Sequence, residues 1–141
     1  MFKPASPGPP PIDADAFRVA VRPEYLPEQS DAHTSRYVFA YHVLIENVGD
    51  RAARLFWRHW LIHDPAAGDQ EVEGEGVVGE SPRIEPGDSH RYQSFCVLRG
   101  RTGYMEGFYH FRRDDGSVFR SPIPRFTLRA TPGPPGGHYA Q

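Results

Sequence analysis

The chain predicts an all-β sandwich of seven or eight antiparallel strands, and three features predict it. Apolar residues alternate with polar ones along segment after segment, the two-residue period of a half-buried strand, and no window carries a 3.6-residue apolar period. Turn residues recur about every 8–12 positions, the spacing of short strands in a sandwich or barrel. The stretch with strand character, residues 17–130, has the length of a sandwich domain of about 100 residues. A closed barrel is the alternative.

The elements follow in order. Phe17, Val19 and Val21 alternate with Arg18, Ala20 and Arg22, and Pro23 and Pro27 are expected to break that strand. From Arg36 to Glu46 both faces are apolar, which marks a central strand. Asn47-Val48-Gly49-Asp50 is a turn. Residues 53–64 form the next strand. Trp57 and Trp60 lie three apart on it, so one belongs in the core and the other outside. Residues 70–78 make a polar strand with Glu71, Glu73 and Glu75 on one face, and Pro86-Gly87-Asp88 turns again. Residues 89–98 place Tyr92, Ser94 and Cys96 opposite Arg91, Gln93 and Phe95. Residues 104–113 and 117–129 read as a hairpin across Asp114-Asp115-Gly116, with Tyr104 and Phe108 opposing Tyr109 and Phe111. Both ends are rich in proline, and the second in glycine as well. Residues 1–16 and 131–141 are expected to stay outside the fold as disordered tails, because they bury too little to offset chain entropy.

Charge excludes some functions. The net charge of −2 gives no global attraction to nucleic acid or anionic membrane. Its distribution is uneven: residues 69–88 hold seven acids against Arg83, and residues 101–129 hold six arginines against three acids. Cys96 is the sole cysteine, so no internal disulfide forms, which fits a reducing compartment. The first residues lack the apolar core of a signal peptide, and no apolar run approaches the roughly 18 residues of a membrane span. The expectation is a soluble cytoplasmic protein.

Gly74-Glu75-Gly76-Val77-Val78-Gly79 spells G-x-G-x-x-G. In a dinucleotide-binding unit such a run opens a helix whose N-terminus holds pyrophosphate. Here Pro82, Pro86 and Gly87 follow at once, so no helix forms, and Glu71, Glu73, Glu75 and Glu80 would repel a phosphate. Two readings remain. In one, the glycines supply positive φ and let strands approach closely. In the other, Gly74, Glu75, Gly76 and Gly79 form a nest of backbone N–H groups for an anion, with Arg58, Arg83 or Arg125 adding positive charge.

The remaining candidates are weaker. Carboxylates two apart on a strand lie about 6.6 Å apart, too far for easy chelation, so Glu71, Glu73 and Glu75 read as a solvated face with weak Mg²⁺ or Co²⁺ binding as the alternative. His59 and His63 fall about 13 Å apart on a strand rather than paired as on a helix. No nucleophile elbow and no Walker pattern is present, so no catalytic residue is assigned and the chain is expected not to be an enzyme. Aromatics interleaved with arginine suggest a protein-docking face.

Seven blocks, in order, carry a resemblance: Tyr25-Leu26-Pro27-Glu28-Gln29-Ser30, Arg36-Tyr37-Val38-Phe39-Ala40-Tyr41, Ile45-Glu46-Asn47, Arg58-His59-Trp60, the run from Gly74 to Glu80, Met105-Glu106-Gly107 and Ile123-Pro124-Arg125-Phe126-Thr127-Leu128. Across residues 17–130 the chain resembles the ApaG protein family. That resemblance implies an immunoglobulin/fibronectin type III-like sandwich. It also implies a link to cobalt and magnesium resistance and to diadenosine tetraphosphate hydrolase operons, and reuse of the domain as an interaction module in larger eukaryotic proteins. The family's suggested pyrophosphate-binding role carries over to Gly74, Gly76 and Gly79. Two functions are therefore expected as alternatives. One is a non-enzymatic module contacting an unknown protein partner or its own copy. The other is a binder of ATP or a diadenosine polyphosphate, with or without a divalent cation.

Overall fold

The computed structural model describes residues 8–131, and these form two antiparallel sheets packed face to face. Eight strands run in chain order: β1 (Phe17–Tyr25), β2 (Tyr37–Asn47), β3 (Ala53–Asp64), β4 (Gly68–Glu75), β5 (Arg83–Ile84), β6 (Ser89–Leu98), β7 (Thr102–Arg113) and β8 (Val118–Arg129). One sheet has the order β1-β2-β6; the other runs β4-β3-β7-β8, with β5 pairing the start of β3. The expected all-β sandwich is the observed fold. β2 is central in its sheet, as its two apolar faces require.

Inward residues of the two sheets interdigitate. Phe17 stacks on Phe111, which stacks on Phe119, with ring centroids 4.0 Å and 5.3 Å apart. Trp60 meets Tyr41, Tyr109 and Phe126 at 5.5–6.1 Å. Fully buried side chains such as Ile45, Leu55 and Leu128 each stabilise the fold by roughly 2 kcal/mol relative to exposure.

A bulge in β3 decides which tryptophan goes inside. Leu55 pairs with Phe111 and Trp57 with His110, leaving Phe56 as the extra residue. Ala53 and Leu55 point into the core, and strict alternation would send Trp57 after them. The bulge reverses the parity, so Trp60 is only 2% exposed and Trp57 lies outside, its indole N–H donating to Glu73 at 3.2 Å.

Two expectations about proline change. Pro23 does not end β1, which continues to Tyr25, and Pro122 and Pro124 lie within β8. Both strands are sheet edges, where the missing N–H faces away from the ladder. The first residues also behave differently from expectation between Pro10 and Asp13. Ile12 bridges Arg120 in parallel, the Arg120 N–H donates to Pro11 O at 2.7 Å, and the Arg120 Nε–H donates to Pro10 O at 2.8 Å. Prolines cannot donate but their carbonyls accept, so a proline-rich segment can still cap an edge strand. Of the two expected tails, residues 1–7 and 132–141 lie outside the described residues.

Two buried polar side chains tie the turns. Asn47 donates to the carbonyls of Arg51 and Ile84 and accepts from Gly49 N–H. Asp64 accepts from the backbone N–H groups of Ala66, Arg99 and Gly100, joining the turn after β3 to the turn after β6. No helix among the described residues is long and apolar enough to cross a membrane.

Candidate functional site

The glycine run sits where β4 leaves the edge of β3. Gly74 pairs with Arg58 in register, and the Arg58 side chain lies flat across it: a Cβ at Gly74 would stand 2.7 Å from Nη2. The guanidinium donates through Nη1 to Glu75 O at 2.8 Å and Gly76 O at 3.2 Å. The Gly76 N–H then donates to the carbonyl of the bulged Phe56. Bulge and corner thus hold each other.

The chain next makes a two-residue reversal. Val77 N–H donates to Glu80 O, and Glu80 N–H donates to Val77 O, at 2.8 Å and 3.0 Å. The two residues between them, Val78 and Gly79, both have positive φ, +47° and +78°, the requirement of a type I′ hairpin turn. Val77 is buried in the core, while Val78 is 62% exposed. A β-branched residue with positive φ is strained, and the reversal holds Val78 there. Gly76, at φ +58°, cannot carry a side chain, because its Cβ would lie 2.1 Å from Glu80 O.

The structure brings Gly74, Glu75, Gly76, Gly79 and Arg58 together and gives each glycine a backbone task. The N–H groups of Gly76, Val77 and Glu80 already donate to carbonyls, and Arg58 faces carbonyl oxygens. Arg83 does not join them. It stands on β5, exposed, and its guanidinium is held by both oxygens of Asp114 and by Glu85. Those hydrogen bonds push its pKa further up and pull that of Asp114 below the usual carboxylate range. Arg125 is likewise taken, by two 3.1 Å hydrogen bonds to Glu106.

The acidic ladder lies on the outer face of the larger sheet, as its period predicts, opposite Trp57, His59 and Leu61. His59 lies 3.9 Å from Glu71 and 3.8 Å from Glu73, and His63 bonds Asp69 at 2.5 Å while stacking on Tyr104. Among the described residues no three His, Cys, Asp or Glu side chains gather to hold a metal ion. The same face carries the expected aromatic–arginine surface. Arg112 lies over Phe56, Arg120 over Phe108 and Arg125 over Tyr104, at 3.9–4.6 Å.

Behind the corner, the Arg58 charge acts on two core tyrosines, Tyr41 and Tyr109, and on Tyr92 packed against them. Tyr92 and Tyr109 share a hydrogen bond between their hydroxyls, and burial pushes the pKa of Tyr41, Tyr92 and Tyr109 up. Burial also raises the Cys96 thiol to about 11, so it stays protonated and unreactive.

Elsewhere the structure exposes a surface that the residue pattern alone did not single out. Among the described residues β6 is a sheet edge, hydrogen-bonded to β2 alone. Its outer face turns Phe95 and Val97 to solvent, 56% and 49% exposed. The available signal was the apolar content of both faces of β6, unusual for a strand at an edge.

A family model described as the ApaG domain matches residues 27–113. The chain belongs to the ApaG family. Its relatives named Protein ApaG include one from Methylobacillus flagellatus, 46% identical over 113 residues, which span 80% of this chain and 89% of the relative. Another, from Thiobacillus denitrificans, is 49% identical over 112 residues, 79% of this chain and 88% of the relative. Among solved structures, the ApaA protein from Bordetella pertussis superposes with a TM-score of 0.79 at 41% identity, covering 89% of this chain and all of that one. Five of the seven sequence blocks lie wholly within the matched residues, and several of them coincide with the joints just described. Arg58, Trp60 and the run from Gly74 to Glu80 form the bulge and corner, and Asn47 is the turn clamp.

Proposed function

We propose that this protein is a non-enzymatic interaction module that docks a protein partner on β6 and the outer face of the sheet that β6 edges. One observation carries the reading: Phe95 and Val97 stand side by side, each about half exposed, on an edge strand that has no neighbour on its far side among the described residues. They are opposite Ala40 and Val38 of β2, which are themselves buried, so the apolar surface open to a partner here is that of Phe95 and Val97 at the edge. Ile12, Val48 and Val78, the other large apolar residues exposed among those described, are not on β6. A partly exposed aromatic flanked by a branched apolar side chain has the chemistry of an interface anchor. The aromatics of the opposite face are already covered by their own arginines, which leaves them less to gain from a partner.

The test places a photo-crosslinking phenylalanine analogue at position 95 or, as control, at position 48, in the producing cell. Position 95 should capture a discrete protein that position 48 does not. That protein, purified, should bind a Phe95→Asp variant at least about tenfold more weakly, a loss of roughly 1.4 kcal/mol. Equal capture at the two positions, or unchanged affinity, refutes the reading.

A further inference from the structure

We infer that the partner of β6 is an extended peptide strand, added to the free edge, that carries an acidic residue at each end of an apolar pair. This rests on the docking reading above and specifies its occupant.

The first premise is the edge itself. β6 pairs with β2 through ten consecutive residues without a register shift, and it contains no proline. Proteins blunt exposed edges with prolines, bulges, charges or a covering segment. The other edges here use those devices: β4 carries Asp69, Glu71, Glu73 and Glu75, β1 carries Pro23, and β8 carries two prolines and the segment from Pro10 to Asp13. β6 has no proline and no bulge, no segment among the described residues covers it, and its charges, Arg91 and Arg99, stand only towards its two ends. An unblunted edge of this length is the template for strand addition, in which main-chain bonds supply affinity and alternate side chains supply specificity.

The second premise is charge. Outward along β6 the side chains are Arg91, Gln93, Phe95 and Val97, and Arg99 follows at the strand's end. Arg36 lies next to Tyr37, which pairs with Leu98. Arg36, Arg91 and Arg99 are exposed, and among the described residues none of them makes an ion pair. No carboxylate occurs in β6. The nearby acids are engaged: Glu46 with Arg18, Asp64 with backbone N–H groups of the turn, and Glu80 beside His90. An apolar pair flanked by uncompensated arginines is complementary to an acid–apolar–apolar–acid strand.

A second copy of this chain fits less well. Two antiparallel β6 strands centred on Phe95 set Arg91 opposite the partner copy's position 99, also arginine, and like charges directly opposed are destabilising. The acidic edge of β4 matches the charge but offers no apolar residue on its outer face for Phe95 and Val97. Antiparallel addition of a separate peptide reads, from its N-terminus, as acid opposite Arg99, apolar opposite Val97, apolar opposite Phe95, polar opposite Gln93 and acid opposite Arg91, each two residues apart.

The experiment titrates the full-length protein, labelled with nitrogen-15, with the nonapeptide Glu-Thr-Val-Thr-Val-Thr-Asn-Thr-Glu and with the same peptide carrying lysine for both glutamates. The acidic peptide should shift the β6 amides saturably and bind at least tenfold more tightly than the lysine peptide. A double variant, Arg91→Glu with Arg99→Glu, should reverse that preference while keeping the dispersed spectrum of a folded chain. Equal binding of both peptides at β6 overturns the charge assignment and leaves the docking surface standing. Absence of β6 shifts with either peptide overturns strand addition, while crosslinking at position 95 still decides the docking reading separately. A dimer of the protein that dissociates in the Phe95→Asp variant assigns the edge to a second copy and overturns the proposal.

Discussion

Replacing Gly76 by alanine should destabilise the protein far more than the same change at Gly79. Both glycines have positive φ, so each alanine bears the cost of a left-handed backbone, about 1–2 kcal/mol. Their surroundings differ. A Cβ at Gly79 meets nothing within 4 Å, whereas at Gly76 it would lie 2.1 Å from Glu80 O and 2.9 Å from Glu80 C. Those are backbone atoms and cannot rotate away. Moving them breaks the two hydrogen bonds between Val77 and Glu80, worth about 1 kcal/mol each. The expected losses are therefore about 3–4 kcal/mol for Gly76→Ala and about 1–2 kcal/mol for Gly79→Ala. Urea unfolding followed by fluorescence, with linear extrapolation to water, measures both. If the two variants fall within about 0.5 kcal/mol of each other, the ordinary scatter of surface substitutions, the corner is not held as described.

Two further outcomes are expected. Asp64→Ala strands three backbone N–H groups in two turns and should cost about 3 kcal/mol; a small fall in thermal midpoint, equal to that of an exposed alanine substitution, would contradict this. His110 has its pKa lowered below 6.5, first by desolvation and then by Arg120, and its buried Nε2 has no hydrogen-bond partner among the described residues. Its imidazolium is favoured in the unfolded chain, which binds more protons, so stability should fall as pH drops below about 6.5 and stay level above it. His110→Gln should flatten that part of the stability–pH curve, and an unchanged slope between pH 5 and 7 would show that other groups set it.

Much of the fold was legible because a two-residue period is a local property. The alternation in β2, β3 and β6 fixed strands whose ends the structure moves by at most a residue. The hairpin at Asp114-Asp115-Gly116 was readable for the same reason: its turn chemistry is contiguous. What escaped depends on neighbours distant in sequence. The choice between Trp57 and Trp60 is made by the bulge at Phe56, and that bulge is held from outside by the Gly76 N–H. Pro23 in β1 looked like a break because nothing in the sequence says which strands are edges. The two-residue β5 was missed altogether, since Arg83 and Ile84 show no period at that length. Of the candidate site, the glycines and Arg58 form one joint. Arg83 went elsewhere because its partners, Glu85 and Asp114, include one 31 residues away.

The parity switch in β3 has an optical consequence. Trp57 and Trp60 sit within one strand yet report on different surroundings. Trp60 is enclosed by Tyr41, Tyr109 and Phe126, close enough to receive excitation from both tyrosines. Trp57 stands in partial contact with water beside the Glu73 carboxylate. A soluble quencher reaches the second before the first. Peeling of β4 would therefore dim or shift the outer indole while the inner one still emits as in the native state, so a single fluorescence spectrum separates fraying of one edge from melting of the core.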